Sequence, residues 1–106
     1  IGDVEGKTAV IIDVIVDTAG SLCEGARALE KRGAKRIFAS CSHAILSDPA
    51  VQRINESPIE KLVITDTIPL PPEKQSDKFV VLSLADALGD VMMRIQSHRS
   101  VSQMFR

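Results

Sequence analysis

Two aspartates four positions apart, Asp13 and Asp17, flank the apolar triplet Val14-Ile15-Val16 and lead into small and hydroxylated residues, Thr18, Ala19, Gly20 and Ser21, in the stretch AVIIDVIVDTAGSL. A carboxylate can only accept hydrogen bonds, so Asp13 and Asp17 suit a partner's hydroxyl groups or a hydrated divalent cation, and they would repel phosphate. The turn after them offers the opposite chemistry. A helical pattern begins at Leu22, and the first N–H groups of a helix are unpaired and carry about half a positive charge, which attracts phosphate. Carboxylates for hydroxyls beside amides for an anion describe a site for a sugar phosphate. A plainer reading stands beside it. Ser21-Leu22-Cys23-Glu24 fits S-x-x-E, a capping box in which Ser21 caps the helix and Glu24 reaches back, and this needs no ligand. The residues alone leave both readings open.

Positioning these groups falls to alternating strands and helices. Ala9 to Ile12 is an apolar run without alternation, as expected of a strand covered on both faces of a parallel sheet, and Asp13 ends it. Gly2 to Thr8 is a polar lead-in with a turn at Glu5-Gly6-Lys7. In the helix after the turn, Leu22, Cys23, Ala26 and Leu29 recur at helical spacing, Glu24, Arg27, Glu30, Lys31 and Arg32 face outward, and Gly33 supplies the stop. Lys35 to Ser42, Lys61 to Thr65 and Phe79 to Leu82 read as further strands. Asp48 is the expected N-cap of a short helix with Pro49 at its first position, running to about Asn55. Pro69 to Ser76 is a proline-stiffened surface loop. Ser83 and Asp86 mark a last helix whose Leu84, Leu88, Val91, Met92 and Ile95 form one buried face. Four strands alternating with three helices predict an α/β fold with a mostly parallel sheet. Ligands of such sheets bind beyond the carboxyl ends of the strands, where Asp13, His43 and Asp66 are expected.

Composition narrows the partners. With 106 residues the chain is at most one domain, and 44% hydrophobic and 25% charged residues are ordinary for a soluble protein. A net charge of −1 gives no reason to expect nucleic acid or an anionic membrane. Without Trp or Tyr the usual platforms for stacking a base are missing. No apolar run approaches the roughly 18 residues of a membrane span, and no signal-like leader precedes the first strand, so a cytoplasmic setting is the default. Cys23 and Cys41 lack C-x-x-C spacing and sit in apolar surroundings, which favours buried free thiols over a disulfide or metal site. A first residue other than Met, followed closely by a buried-type strand, suggests part of a longer chain. His43 at a strand end and His98 in a polar stretch are read as structural or surface residues rather than catalytic bases.

The same words carry a resemblance. IIDVIVDTAGSL resembles the phosphoribosyl diphosphate loop of type I phosphoribosyltransferases, and the flanking GDVEGKTAV, RGAKRIFAS, SHAILSDPAVQRI, VITDTIPL and RSVSQMF are similar to ribose-phosphate diphosphokinases, also called phosphoribosyl pyrophosphate synthetases. The resemblance spans the whole chain and implies the C-terminal, phosphoribosyltransferase-like part of that enzyme, about a third of its usual length. In the family, residues matching Asp13 and Asp17 face the ribose hydroxyls of ribose 5-phosphate, and the loop matching Asp17, Thr18, Ala19, Gly20 and Ser21 wraps the 5-phosphate. Two departures stand out. The family usually places an acid where this chain has Val14 and a threonine where it has Ser21. Serine keeps the hydroxyl, but losing one charge-assisted hydrogen bond costs about 1.5–3 kcal/mol, a ten- to hundredfold weakening. Ser100, Ser102 and Phe105 match a family motif that helps form a regulatory phosphate or nucleotide site between subunits, simple C-terminal docking being the plainer reading. The resemblance further implies transfer of diphosphate from ATP to ribose 5-phosphate with Mg²⁺, a homo-oligomer, no metal held by protein ligands alone, and an ATP site mostly in a missing N-terminal part. The isolated 106 residues are then expected to be inactive. A non-catalytic homologue or regulatory partner with a decayed loop is the alternative, with Val14 in its favour. A nucleobase phosphoribosyltransferase is disfavoured by the lack of a hood segment.

Overall fold

Seven of the nine residues from Thr8 to Val16 are β-branched, and they form the first strand, β1. The computed structural model describes residues 2–105. In it β1 is followed by helix α1 (Gly20–Lys31), β2 (Arg36–Ala44), α2 (Ala50–Asn55), β3 (Lys61–Thr65), β4 (Phe79–Leu82) and α3 (Ala85–Gln96), with short 3₁₀ turns at Pro72–Lys74 and Ser102–Phe105. The four strands pair in parallel in the order β1-β2-β3-β4. Thr8 lies opposite Arg36 and Val16 opposite Ala44, so β1 and β2 run together to one end of the sheet. The expected α/β architecture is the one found.

Strands added in sequence order by right-handed crossovers place their connecting helices on the same face. Burial agrees with this. Ile37, Ala39 and Cys41 of β2 join Leu62 and Ile64 of β3 in one core with Leu22, Cys23 and Ala26 of α1 and Ala50 and Ile54 of α2. The α1 helix ends as its sequence predicts. Gly33, at φ +89°, donates to the Glu30 carbonyl while Ala34 donates to the Leu29 carbonyl, a paired closure that needs a left-handed residue and favours glycine.

Several expectations change. β1 runs on through Asp13 to Val16 rather than stopping there, because an exposed carboxylate costs an edge strand little. Its two faces are not both covered: Ala9 and Ile11 pack on the core, whereas Val10, Val14 and Ile12, the last 82% exposed, point away from the helices. Asp48 does not cap α2, which starts at Ala50 with Pro49 at the N-cap and no side-chain cap. The apolar face of α3 is not buried within the described residues. Leu88, Met92 and Ile95 are all exposed, and no α3 residue is buried. Because α3 lies outside the core, the radius of gyration is 16.5 Å, against about 13 Å for a compact domain of this length.

Candidate functional site

The turn between β1 and α1 is built by backbone rather than by a side-chain cap. Ala19 is the N-cap, at φ 64° and ψ 15°, and no side chain caps the helix. Ser21 therefore lies inside the first helical turn, and the capping box Ser21–Glu24 does not form. The first helical hydrogen bond runs from the Cys23 amide to the Ala19 carbonyl at 3.0 Å. The amides of Gly20, Ser21 and Leu22 thus lack helical acceptors, and the first turn carries no acid to neutralise them. Asp13, Asp17, Thr18, Ala19, Gly20 and Ser21 all line one open cavity of about 260 Å³, with Ile15 and Val16 on its wall. Val14 is 62% exposed and is not part of this lining.

The segment between β2 and α2 holds the turn from behind. The Val16 carbonyl accepts from the amides of Ile45 at 2.9 Å and Leu46 at 3.2 Å. Asp17 Oδ1 accepts from the Ser47 amide at 3.4 Å, and Arg53 Nη1 donates to the Thr18 carbonyl at 3.1 Å. Arg53 also approaches Gly20 so closely that a Cβ there would lie 3.2 Å from Nη1. Sequence reasoning missed Arg53, which sits 35 residues beyond Thr18 on the exposed side of a short helix and leaves no local pattern. Asp13 bonds its neighbour, accepting from the Val14 amide at 2.8 Å. Burial pushes the thiols of Cys23 and Cys41 up, and the charge of Asp13 adds to the shift at Cys41, its partner across the sheet. Both cysteines are buried and unpaired.

The other residues singled out lie apart from this cavity. His43 Nδ1 is 2.8 Å from Thr67 Oγ1, and the Thr67 hydroxyl also donates to the Ser42 carbonyl at 3.2 Å, so the imidazole belongs to a small network joining β2 to the end of β3. Asp66 accepts from the Leu84 amide at 2.8 Å; that bond and the Ser83 hydroxyl hold its carboxyl below the ordinary carboxylate range. Its work is to secure the start of α3. Ser100 and Ser102 are joined hydroxyl to hydroxyl at 2.9 Å, and Arg94 donates to the Ser100 carbonyl at 2.9 Å, while Phe105 remains 79% exposed. This tail rests on α3 rather than on the core. Among the described residues no three His, Cys, Asp or Glu side chains gather as a metal site, and no helix is long and apolar enough to cross a membrane.

Comparison with known proteins agrees with this arrangement. The family described as "Phosphoribosyl synthetase-associated domain" matches residues 1–106. A "Ribose-phosphate pyrophosphokinase" of Synechococcus elongatus is 48% identical over 100% of this chain and 32% of its own length. "Ribose-phosphate pyrophosphokinase 1" of Listeria monocytogenes is 51% identical over 99% of this chain and 33% of its own. The crystal structure of phosphoribosylpyrophosphate synthetase from Mycobacterium smegmatis superposes with a TM-score of 0.90 at 33% identity, covering 92% of this chain and 33% of that one. The chain thus spans about a third of the length of these relatives. With a family match along its whole length and about half its residues shared with two bacterial proteins, the chain belongs to the phosphoribosyl synthetase-associated family.

Proposed function

We propose that this chain is the ribose 5-phosphate-holding, C-terminal part of a ribose-phosphate diphosphokinase. The observation that carries the reading is the cavity at the β1–α1 turn, where three helix-start amides without acceptors stand beside Asp13 and Asp17. The amides of Gly20, Ser21 and Leu22, with the hydroxyls of Thr18 and Ser21, take the 5-phosphate. Asp13 and Asp17 accept from the ribose hydroxyls and orient the 1-hydroxyl toward the β-phosphorus of ATP, from which AMP departs. Transfer of this kind depends on positioning and charge neutralisation more than on covalent help from the protein.

Magnesium fits the same groups. Mg²⁺ keeps several waters and is usually held by one or two carboxylates together with substrate oxygens, which suits two exposed aspartates that join no cluster of three metal ligands among the described residues. When bound, it would neutralise charge on the diphosphate being transferred. The ATP site belongs to the remainder of the polypeptide, and the 106 residues alone are inactive. The bare outer face of the sheet and the apolar face of α3 are assigned to contacts with that remainder and with further copies in a homo-oligomer. Ser100, Ser102 and Phe105 are assigned to a regulatory phosphate or nucleotide site between subunits.

Calorimetric titration of the native polypeptide containing this chain, with ribose 5-phosphate and Mg²⁺, tests the reading. Saturable heat supports it; silence at millimolar ligand overturns it. The alternative reading is a non-catalytic relative or regulatory partner that keeps the fold while its loop decays, and Val14, which is not among the cavity-lining residues, lends it no support. No heat with ribose 5-phosphate at millimolar ligand, in a polypeptide that folds and assembles, would be its mark.

A further inference from the structure

Among the described residues, the hydrogen bonds that hold residues 16–18 outside the strand ladder come from one short stretch of chain, Ile45 to Arg53. Leu46 in that stretch is wholly buried at φ 56°, a left-handed conformation that a leucine adopts only when its surroundings hold it there. Its amide and that of Ile45 grip the Val16 carbonyl, the Ser47 amide takes Asp17, and the Arg53 guanidinium takes the Thr18 carbonyl. The last contact controls direction. In a trans peptide the carbonyl and the following N–H point opposite ways, so fixing the Thr18 carbonyl on Arg53 turns the Ala19 amide away from Arg53. Arg53 makes no ion pair among the described residues, and its charge stays beneath the turn that Gly20 leaves open to it.

We infer that Arg53 is the positioning residue of the sugar-phosphate loop: its guanidinium pins the Thr18 carbonyl, sets the direction of the amides that follow and adds positive potential behind the phosphate cradle. The planar fork matters as well as the charge, because a lysine ammonium is a point charge on a flexible stem. This inference rests on reading the turn as a phosphate cradle, and its test separates the two.

Arg53→Ala and Arg53→Lys are made in the native polypeptide, with Gln52→Ala on the same helix as control. Two quantities are read: the KM for ribose 5-phosphate beside that for ATP, and the rate of amide hydrogen exchange across residues 16–22. Removal of one charge-assisted bond predicts that Arg53→Ala raises the KM for ribose 5-phosphate about tenfold, leaves that for ATP within about twofold, and speeds exchange across the loop. Arg53→Lys recovers less than half of the loss, and Gln52→Ala changes neither quantity. Arg53 is exposed, so both variants are expected to fold, which their melting temperatures check. Unchanged KM and unchanged exchange in Arg53→Ala overturn the inference, as does complete recovery in Arg53→Lys, which would reduce the role to charge. If wild-type protein shows no saturation by ribose 5-phosphate while Arg53→Ala still loosens the loop, the cradle reading fails and the brace stands.

Discussion

Replacing Gly20 tests the loop most directly, because the structure separates a tolerated substitution from a disabling one. A Cβ at this position would lie 3.2 Å from Arg53 Nη1, a few tenths of an ångström inside ordinary contact. The obstructing atom is the tip of an exposed, flexible side chain, so alanine is accommodated by a slight retreat of the guanidinium. Alanine is also the better helix former by up to about 1 kcal/mol, so Gly20→Ala is expected to fold at least as stably. Valine differs. Its two γ carbons reach further into the space that Arg53 occupies, and the guanidinium must leave the Thr18 carbonyl. Losing Arg53 from the Thr18 carbonyl loosens the turn as Arg53→Ala does, about tenfold, and the branched side chain also crowds the Gly20 amide, which forfeits its own bond to the phosphate, about 1.5–3 kcal/mol more. Together these losses come to about 3 kcal/mol or more, at least two powers of ten in affinity. The assay is calorimetric titration of ribose 5-phosphate and Mg²⁺ into the native polypeptide, with far-ultraviolet circular dichroism to confirm the fold. Gly20→Ala should bind within about threefold of wild type, while Gly20→Val should show no measurable binding. In the Gly20→Val/Arg53→Ala double variant the losses should fall short of additive, because both changes remove the same bond. Wild-type affinity in Gly20→Val would falsify the assignment of the loop.

Three further expectations follow from other parts of the molecule. Val14 is outside the cavity lining, so Val14→Asp should shift ribose 5-phosphate affinity by less than about threefold; a tenfold gain would mean that the turn reorganises to bring position 14 inward. The depressed carboxyl of Asp66 contributes stability that is present above its ordinary value of 3.8 and is lost as pH falls through its lower folded value. Asp66→Ala should therefore melt below wild type at neutral pH, with the gap closing in strong acid; a gap independent of pH would assign the loss to packing. Leu88→Glu and Met92→Glu should leave the thermal stability of the 106-residue chain unchanged while destabilising the longer native polypeptide or its oligomer, because these side chains are bare here. Equal effects on both would show that α3 packs on its own sheet.

How far the sequence could be read depended on whether the signal was local. Lys61–Thr65 and Phe79–Leu82 fall where their apolar content places them, and Gly33 ends α1 through the geometry its lack of a side chain permits. The acidic loop residues were legible because carboxylates, small residues and a helix start follow one another within a few positions. The means of starting α1 was not legible. Ala19 enters a left-handed conformation that its residue type does not advertise, and a backbone cap of this kind makes the S-x-x-E pattern at Ser21 misleading. The burial expected of the apolar face of α3 is not found, because periodicity tells which side chains seek cover and is silent on whether the cover lies in the same stretch of chain. The bracing by Ser47 and Arg53 is a product of tertiary approach between segments about thirty residues apart.

The position of β1 gives Asp13 a second consequence. β1 pairs with β2 alone among the described strands, so a row of its backbone groups is left as a template for any extended chain that comes near. TAVIIDVIV has the composition of a self-associating segment: nine residues, mostly β-branched, without proline or glycine. Its single charge sits near the middle. Stacking copies in register would bring those carboxylates within about 5 Å of one another, which like charges resist. The group assigned to a sugar hydroxyl thereby also guards the nascent chain against strand-to-strand aggregation before its neighbours arrive, and Asp13→Val would remove that guard together with the ligand contact.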